Sequence, residues 1–196
     1  MRSLLYEKML FDEKSFWRRD LESLWIDSAL FFLEPELAKK RMITLKKHLI
    51  ENYSEFAEHI NEYEIFAEME NGNLWLENQK NGTVKLFQFQ KGSHADFWSS
   101  EFASIEAAVF AIRLKYAEKY IGELGIEYDE MRSEFKDAVD KIADLLPAEW
   151  STELYAIAEK PFENSCSLLT PEQFKQLINK YSLINSDFPQ EKIIIN

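Results

Sequence analysis

Apolar positions near the start of the chain recur at the three-to-four spacing of one helix face. Phe16, Leu21, Leu24, Trp25, Ala29 and Phe32 share that face behind a cap at Asp12 or Ser15. Pro35 ends this segment or starts the next. From there Leu37, Ala38, Met42, Leu45 and Leu49 mark a second amphipathic helix, with Lys39, Lys40, Arg41, Lys46 and Lys47 distributed around it. Helical spacing continues from Glu51 to about Glu62, where Tyr53, Phe56, Ala57, Ile60 and Tyr63 form the stripe and the charge sign reverses.

Beyond Tyr63 the pattern turns extended. Asn71-Gly72 and Asn81-Gly82 are dipeptides that supply the positive φ angles of tight hairpin turns. They separate the runs Glu64 to Met69, Leu74 to Glu77 and Val84 to Gln90, rich in β-branched and aromatic residues, which predict a three-stranded antiparallel meander. Gly92 predicts a turn toward a short fourth strand near Ala95 to Trp98. Ser104 then caps a helix in which Ile105, Ala107, Ala108, Val109, Phe110, Ala111 and Ile112 occupy nearly every face, so a buried helix packed on the sheet is expected.

Gly122 and Gly125 interrupt the chain before a helix from Tyr128 to Leu146, striped by Met131, Phe135, Ala138, Ile142 and Leu145 and stopped at Pro147. A short helical piece from Glu149 to Glu159 precedes Pro161. Thr170-Pro171-Glu172-Gln173 combines an N-cap, a proline at the first helical position and a glutamine three residues after the cap, a strong helix start. The tail from Ser186 is a loop that admits a final strand at Ile193 to Ile195. No Pro, Gly or Ser tract separates two cores. The pattern therefore predicts one α+β domain, mostly helical around a central three- to four-stranded meander: helical over 12–62, meander over 63–98, helical over 104–182, and a tail over 183–196.

Composition narrows the class. The 196 residues are 46% hydrophobic and 14% aromatic, far from disordered compositions. Cys166 is the single cysteine, so no internal disulfide forms and multi-cysteine zinc ribbons are excluded; a reducing compartment is expected. The first apolar run breaks at Glu7 and Lys8, too early for a signal-peptide core, and the apolar-rich stretch from Ser104 to Leu114 carries Glu106 and Arg113, too short and too charged for a span. A cytoplasmic protein without a membrane partner is the expectation. The formal net charge of −12 argues against nucleic acid, whose phosphates require clustered cations, and favours a basic protein partner or serves simply for solubility.

Candidate chemistry is sparse. With glycine only at 72, 82, 92, 122 and 125, neither a Walker A loop nor a dinucleotide fingerprint can be written. Glu55 and His59 form a lone i, i+4 pair without a second histidine, and His48 and His94 are isolated, so no metal site is signalled. Cys166, in Asn164-Ser165-Cys166-Ser167, and Ser93-His94 match no nucleophile signature. No catalytic residue and no cofactor is predicted.

The unusual feature is the stretch from Glu51 to Glu70, where Glu51, Glu55, Glu58, Glu62, Glu64, Glu68 and Glu70 occur without any Lys or Arg. At about 100° per residue the first four fall on one side of a helix, opposite Tyr53, Phe56, Ala57 and Ile60. Two readings stand side by side: a solvated face whose partners come from the Lys39 to Lys47 segment, or a docking ridge for a basic protein. A second acidic region, Glu123, Glu127, Asp129, Glu130, Glu134, Asp137, Asp140 and Asp144, is interleaved with Arg132, Lys136 and Lys141 and reads as a solvated helix face with local ion pairs, including Asp137 to Lys141. Phe97, Trp98 and Phe102 read as core at the sheet-to-helix joint, with Trp98 also a candidate anchor for a partner.

The stretch from Asn71 to Ala117 resembles the immunity proteins that bacteria pair with secreted or contact-delivered toxins. Trp75-Leu76 precedes Asn81-Gly82, the strand Val84-Lys85-Leu86-Phe87 follows, and Phe102-Ala103-Ser104-Ile105-Glu106-Ala107-Ala108 opens a helix. The resemblance is one of architecture, and the family has no catalytic motif to match. It implies a cytoplasmic inhibitor that binds a basic toxin domain and blocks its active site, with the Glu51 to Glu70 carboxylates and Trp98 as the footprint. The alternative is an enzyme or small-molecule-binding protein with a pocket between the sheet and the Ser104 helix; a structural adaptor or homo-oligomer subunit is a third class. A toxin reading frame beside the gene favours inhibition, and a metabolic operon favours the enzyme.

Overall fold

The computed structural model describes residues 31–33, 35–52, 59–69, 72–88, 97–98, 101–118, 127–161 and 167–184. The fold is α+β. The chain groups into two compact units, one spanning residues 1–105 and 184–196, the other 106–183.

The first unit is built on an antiparallel sheet in sequence order, β1 (Phe31–Phe32), β2 (Tyr63–Glu68), β3 (Leu74–Asn78), β4 (Val84–Gln88) and β5 (Phe97–Trp98). Three strands of five or six residues carry it, and two-residue strands form its edges. Helix α1 (Pro35–Asn52) lies over one face. Its Ala38, Leu45 and Leu49 pack with Ile60 and with Ile65, Leu74, Leu76 and Phe87 of the strands, with Met42 and Tyr63 at the margin. This is the three-to-four stripe meeting alternate strand positions, and it makes the unit's core. On the opposite sheet face Trp75 meets Phe102 at 5.7 Å between ring centroids.

Several expectations are corrected here. Phe32, placed at the end of a helix stripe, pairs as strand with Ala67; the rest of that predicted helix lies outside the described residues. Leu37 faces outward instead of joining the core stripe of α1. Glu62 belongs to a separate 3-10 turn, His59–Glu62, so the 100° arithmetic that aligned it with Glu51 does not apply. The β3–β4 loop is not a two-residue turn: Gly82 takes φ +75 while Asn81 does not adopt positive φ, and Asn81 Oδ1 instead accepts the Thr83 backbone N–H at 3.0 Å. Between Ile65 and Ala67 the β2–β3 register shifts, leaving Phe66 as the extra residue of a bulge whose carbonyl accepts Leu33 N–H at 2.9 Å.

The second unit is helical: α2 (Ile105–Glu118, beginning at the junction), α3 (Tyr128–Ile142), a 3-10 turn (Ala143–Leu145), α4 (Ala148–Ala158) and α5 (Pro171–Lys180). Ile105, Ala107, Ala108, Val109, Phe110, Ala111 and Leu114 of α2 are buried, as its unbroken apolar run predicts. Helix α3 buries Met131, Phe135, Ala138, Val139 and Ile142; its last predicted turn tightens to 3-10, and Leu146 is buried where Leu145 was expected. Phe110 stacks on Trp150 at 5.0 Å and meets the edge of Tyr181 at 5.4 Å. At Thr170 both capping-box bonds form, Gln173 N to Oγ1 at 3.2 Å and Thr170 N to Gln173 Oε1 at 3.0 Å. The Gly122 and Gly125 breaks and the predicted strand Ile193 to Ile195 lie outside the described residues. Among those described, no helix is long and apolar enough to cross a membrane.

Candidate functional site

The acidic stretch between Glu51 and Glu70 meets the protein's own cations. Helix α1 packs on the sheet through Ala38 and Met42, which brings the neighbouring Arg41 to the edge strand region of β2. There Arg41 grips Glu68 in a fork, Nε to Oε2 and Nη2 to Oε1, both at 2.8 Å. The Glu68 side chain is 17% exposed and that of Arg41 47%, so the pair is partly shielded from water and stronger than an ordinary surface contact. Glu62 accepts Lys80 Nζ at 2.5 Å, because the β3–β4 loop folds back against the start of β2, where Gln79 N–H also reaches the Glu62 carbonyl at 2.8 Å. Glu51 faces Lys47 one helical turn earlier at 3.8 Å, with both side chains exposed.

Glu64 is exposed and stands opposite Glu77 in the β2–β3 register. Glu55, Glu58 and Glu70 lie outside the described residues. Trp98 is in β5 with its backbone opposite Phe87. The described part of the predicted ridge is thus spread over a helix, a 3-10 turn and a strand.

The second acidic region differs. Helix α3 turns its apolar stripe inward, which leaves Glu130 and Asp137, one heptad apart, on its outer side. Together with Glu127, Asp144 and Glu149 they are five exposed carboxylates that form no side-chain hydrogen bond or ion pair among the described residues. Asp129 pairs with Arg132 at 3.3 Å, and Asp140 accepts the Tyr155 hydroxyl at 2.9 Å, which pushes that phenol's pKa up. Beneath this surface the Tyr116 hydroxyl donates to Glu134 Oε2 at 3.1 Å. Burial, reinforced by the Glu134 charge, raises the Tyr116 phenol well above its usual range, so it stays a neutral donor. Burial raises the Glu134 carboxyl too, and Glu130 and Asp137 add to that rise as like charges. Arg113, buried close by, is lowered to about 10 by desolvation.

Three features escaped the sequence pattern. Glu101 is buried and accepts the Thr83 hydroxyl at 2.8 Å, tying the approach to α2 to the β3–β4 loop. Glu153 receives Lys180 Nζ and the Tyr181 hydroxyl, each at 2.8 Å, joining α4 to the end of α5. Arg41 was read only as part of a basic helix. All depend on tertiary placement across 18 to 28 residues, for which local spacing carries no signal.

His94 and Cys166 lie outside the described residues. Among those described, no group of three His, Cys, Asp or Glu side chains is placed to hold a metal ion. No family model matches the chain, and no curated protein or solved structure matches it either.

Proposed function

We propose that this chain is a non-catalytic, cytoplasmic inhibitor that binds a basic protein, in the manner of the immunity proteins its hairpin-and-helix stretch resembles. The observation that supports this reading is the outer surface around α3. Glu127, Glu130, Asp137, Asp144 and Glu149 are exposed without a side-chain partner among the described residues, in a chain of net charge −12. Carboxylates kept in water cost no desolvation in the free protein and remain available to a cationic surface, where complementary charge speeds encounter and suppresses wrong partners. Against a nucleic-acid-cleaving toxin they would engage the Lys and Arg that otherwise hold substrate phosphates.

Of the original footprint, Glu51, Glu62 and Glu68 would contribute less, since a partner must first compete with Lys47, Lys80 and Arg41. The α3 surface leads the encounter in this reading.

The test is affinity capture from the native host with the wild-type chain and with Glu130→Lys, Asp137→Lys and Asp144→Lys combined. The expected result is a basic protein retained by the wild type, inhibited by it, and bound by the variant with an association rate lower by about tenfold and nearly independent of salt. Equal rates and equal salt dependence for the two chains would overturn the assignment of the surface. Failure to inhibit any basic partner would overturn the function.

A further inference from the structure

Helix α1 is the basic element of an acidic protein. It carries Lys39, Lys40, Arg41, Lys46 and Lys47 against Glu36 and Glu51. Arg41 is engaged by Glu68. The four lysines surround a single apolar side chain: Lys39 and Lys40 precede Ile43 by four and three positions, and Lys46 and Lys47 follow it by three and four. These are the four positions adjacent to Ile43 on the surface of a helix. Ile43 is 69% exposed, and Ile50, one heptad on, is 63% exposed. Lys40 and Lys46 form no ion pair among the described residues. Lys39 and Lys47 are held only by Glu36 at 3.2 Å and Glu51 at 3.8 Å, between side chains all more than half exposed, and such pairs yield readily.

We propose that this outer face of α1 docks onto an anionic phospholipid surface. Its buried stripe is already used against the sheet, so the outer face carries the contact alone. The isoleucines are more than half exposed, and a fluid interface takes such side chains without a matching pocket. A bilayer supplies the two environments the face calls for at adjacent depths: acyl chains for Ile43 and Ile50, and phosphates for the lysines, whose apolar stems bend back to reach them. At physiological ionic strength charges beyond about 8 Å are largely screened, so the lysine ring governs this contact more than the overall charge of −12 does. The short apolar runs of the sequence speak against crossing a membrane; resting on one needs only a few apolar side chains among clustered cations. The inference is independent of the inhibitor reading and uses the other face of the charge distribution.

Flotation of the full chain with phosphatidylglycerol-rich vesicles, and with phosphatidylcholine vesicles, tests it. The expected result is binding to the anionic vesicles only, released by high salt. Lys40→Glu with Lys46→Glu should weaken binding by at least about tenfold. Ile43→Ser should weaken it severalfold at unchanged charge, and circular dichroism of both variants should match the wild type, since Lys40 and Ile43 are exposed and Lys46 only flanks the core stripe, half-buried. No binding to anionic vesicles would overturn the proposal, as would binding that survives both variants. So would an acidic protein captured through these lysines by a chain that ignores vesicles.

Discussion

The carboxylates between Glu51 and Glu68 and those around α3 carry the same charge but meet different surroundings. Glu51, Glu62 and Glu68 each face a cation of the same chain, and the firmest of these pairs, Arg41–Glu68, fastens α1 to β2. The side chains of Glu127, Glu130, Asp137, Asp144 and Glu149 face water without a hydrogen bond or ion pair among the described residues. Sequence density of acid is therefore a poor guide to an outward field. In the richer-looking run, with no cation in its own 20 residues, the described Glu51, Glu62 and Glu68 are answered by cations from α1 and the β3–β4 loop. The run interleaved with Arg132, Lys136 and Lys141 keeps more of its charge uncompensated. Compensation is settled by which elements pack together, and the first unit packs a basic helix beside its acidic strand.

The largest effect should come from the inner side of α3, which has to hold the helix in place whatever its outer side does. Phe135 is fully buried and stacks near-parallel with Tyr116, 6.4 Å between centroids. Phe135→Ala should destabilise the protein by about 3–5 kcal/mol in urea unfolding, through lost transfer energy and the cavity left behind. A loss below about 1 kcal/mol would mean that α3 does not anchor the second unit as described.

Next, Glu68→Gln should cost about 1 kcal/mol, because it removes the charge from a forked and partly shielded pair yet leaves Arg41 able to reach water. Glu62→Gln and Glu51→Gln should each cost less than about 0.5 kcal/mol, as expected for single-point contacts between exposed groups. A graded series in this order supports the ranking by geometry. Equal costs would show that shielding has no part in it.

An effect below that of Glu68 lies in the second unit, where Glu153 serves as an internally paired control for the α3 acids. The hydrogen bond from Lys180, with help from that of Tyr181, holds its carboxyl below the usual carboxylate range. The folded protein thus binds fewer protons than the unfolded chain around that range, so stability rises with pH there. The contribution is complete above the unfolded pKa and disappears as pH falls through the lowered folded pKa. Glu153→Gln should therefore lower stability at neutral pH, by less than Glu68→Gln, and the difference from wild type should shrink on acidification. A difference that grows toward low pH would reverse the sign of the assignment.

What the sequence conveyed was local. The inward stripe of α3, the Thr170 to Gln173 cap and the three main strands are written in periods and spacings a few residues long; the strands form within about two residues of their expected ends, and α3 starts at its expected Tyr128 but gives way to a 3-10 turn four residues before its expected end. The sequence could not convey that Phe32 is strand, since the short apolar run from Leu30 to Leu33 fits either period and its pairing with Ala67 is a long-range event. Nor could Asn81-Gly82 disclose that only its glycine would turn left-handed, because the length of the loop decides which residues need positive φ. The candidate surface was the least visible part. Arg41 and Glu68 are 27 residues apart, and only the packing of α1 on the sheet brings them together.

Urea unfolding of two matched triple variants tests most directly the claim that one acidic region is tied into the fold and the other is not. One variant carries Glu51→Gln, Glu62→Gln and Glu68→Gln; the other carries Glu130→Gln, Asp137→Asn and Asp144→Asn. The first should lose about 1–2 kcal/mol relative to wild type. The second should stay within about 0.5 kcal/mol of it or gain slightly, as the like charges beside Glu134 are removed. A second variant as destabilised as the first, or a first variant as stable as wild type, would contradict it.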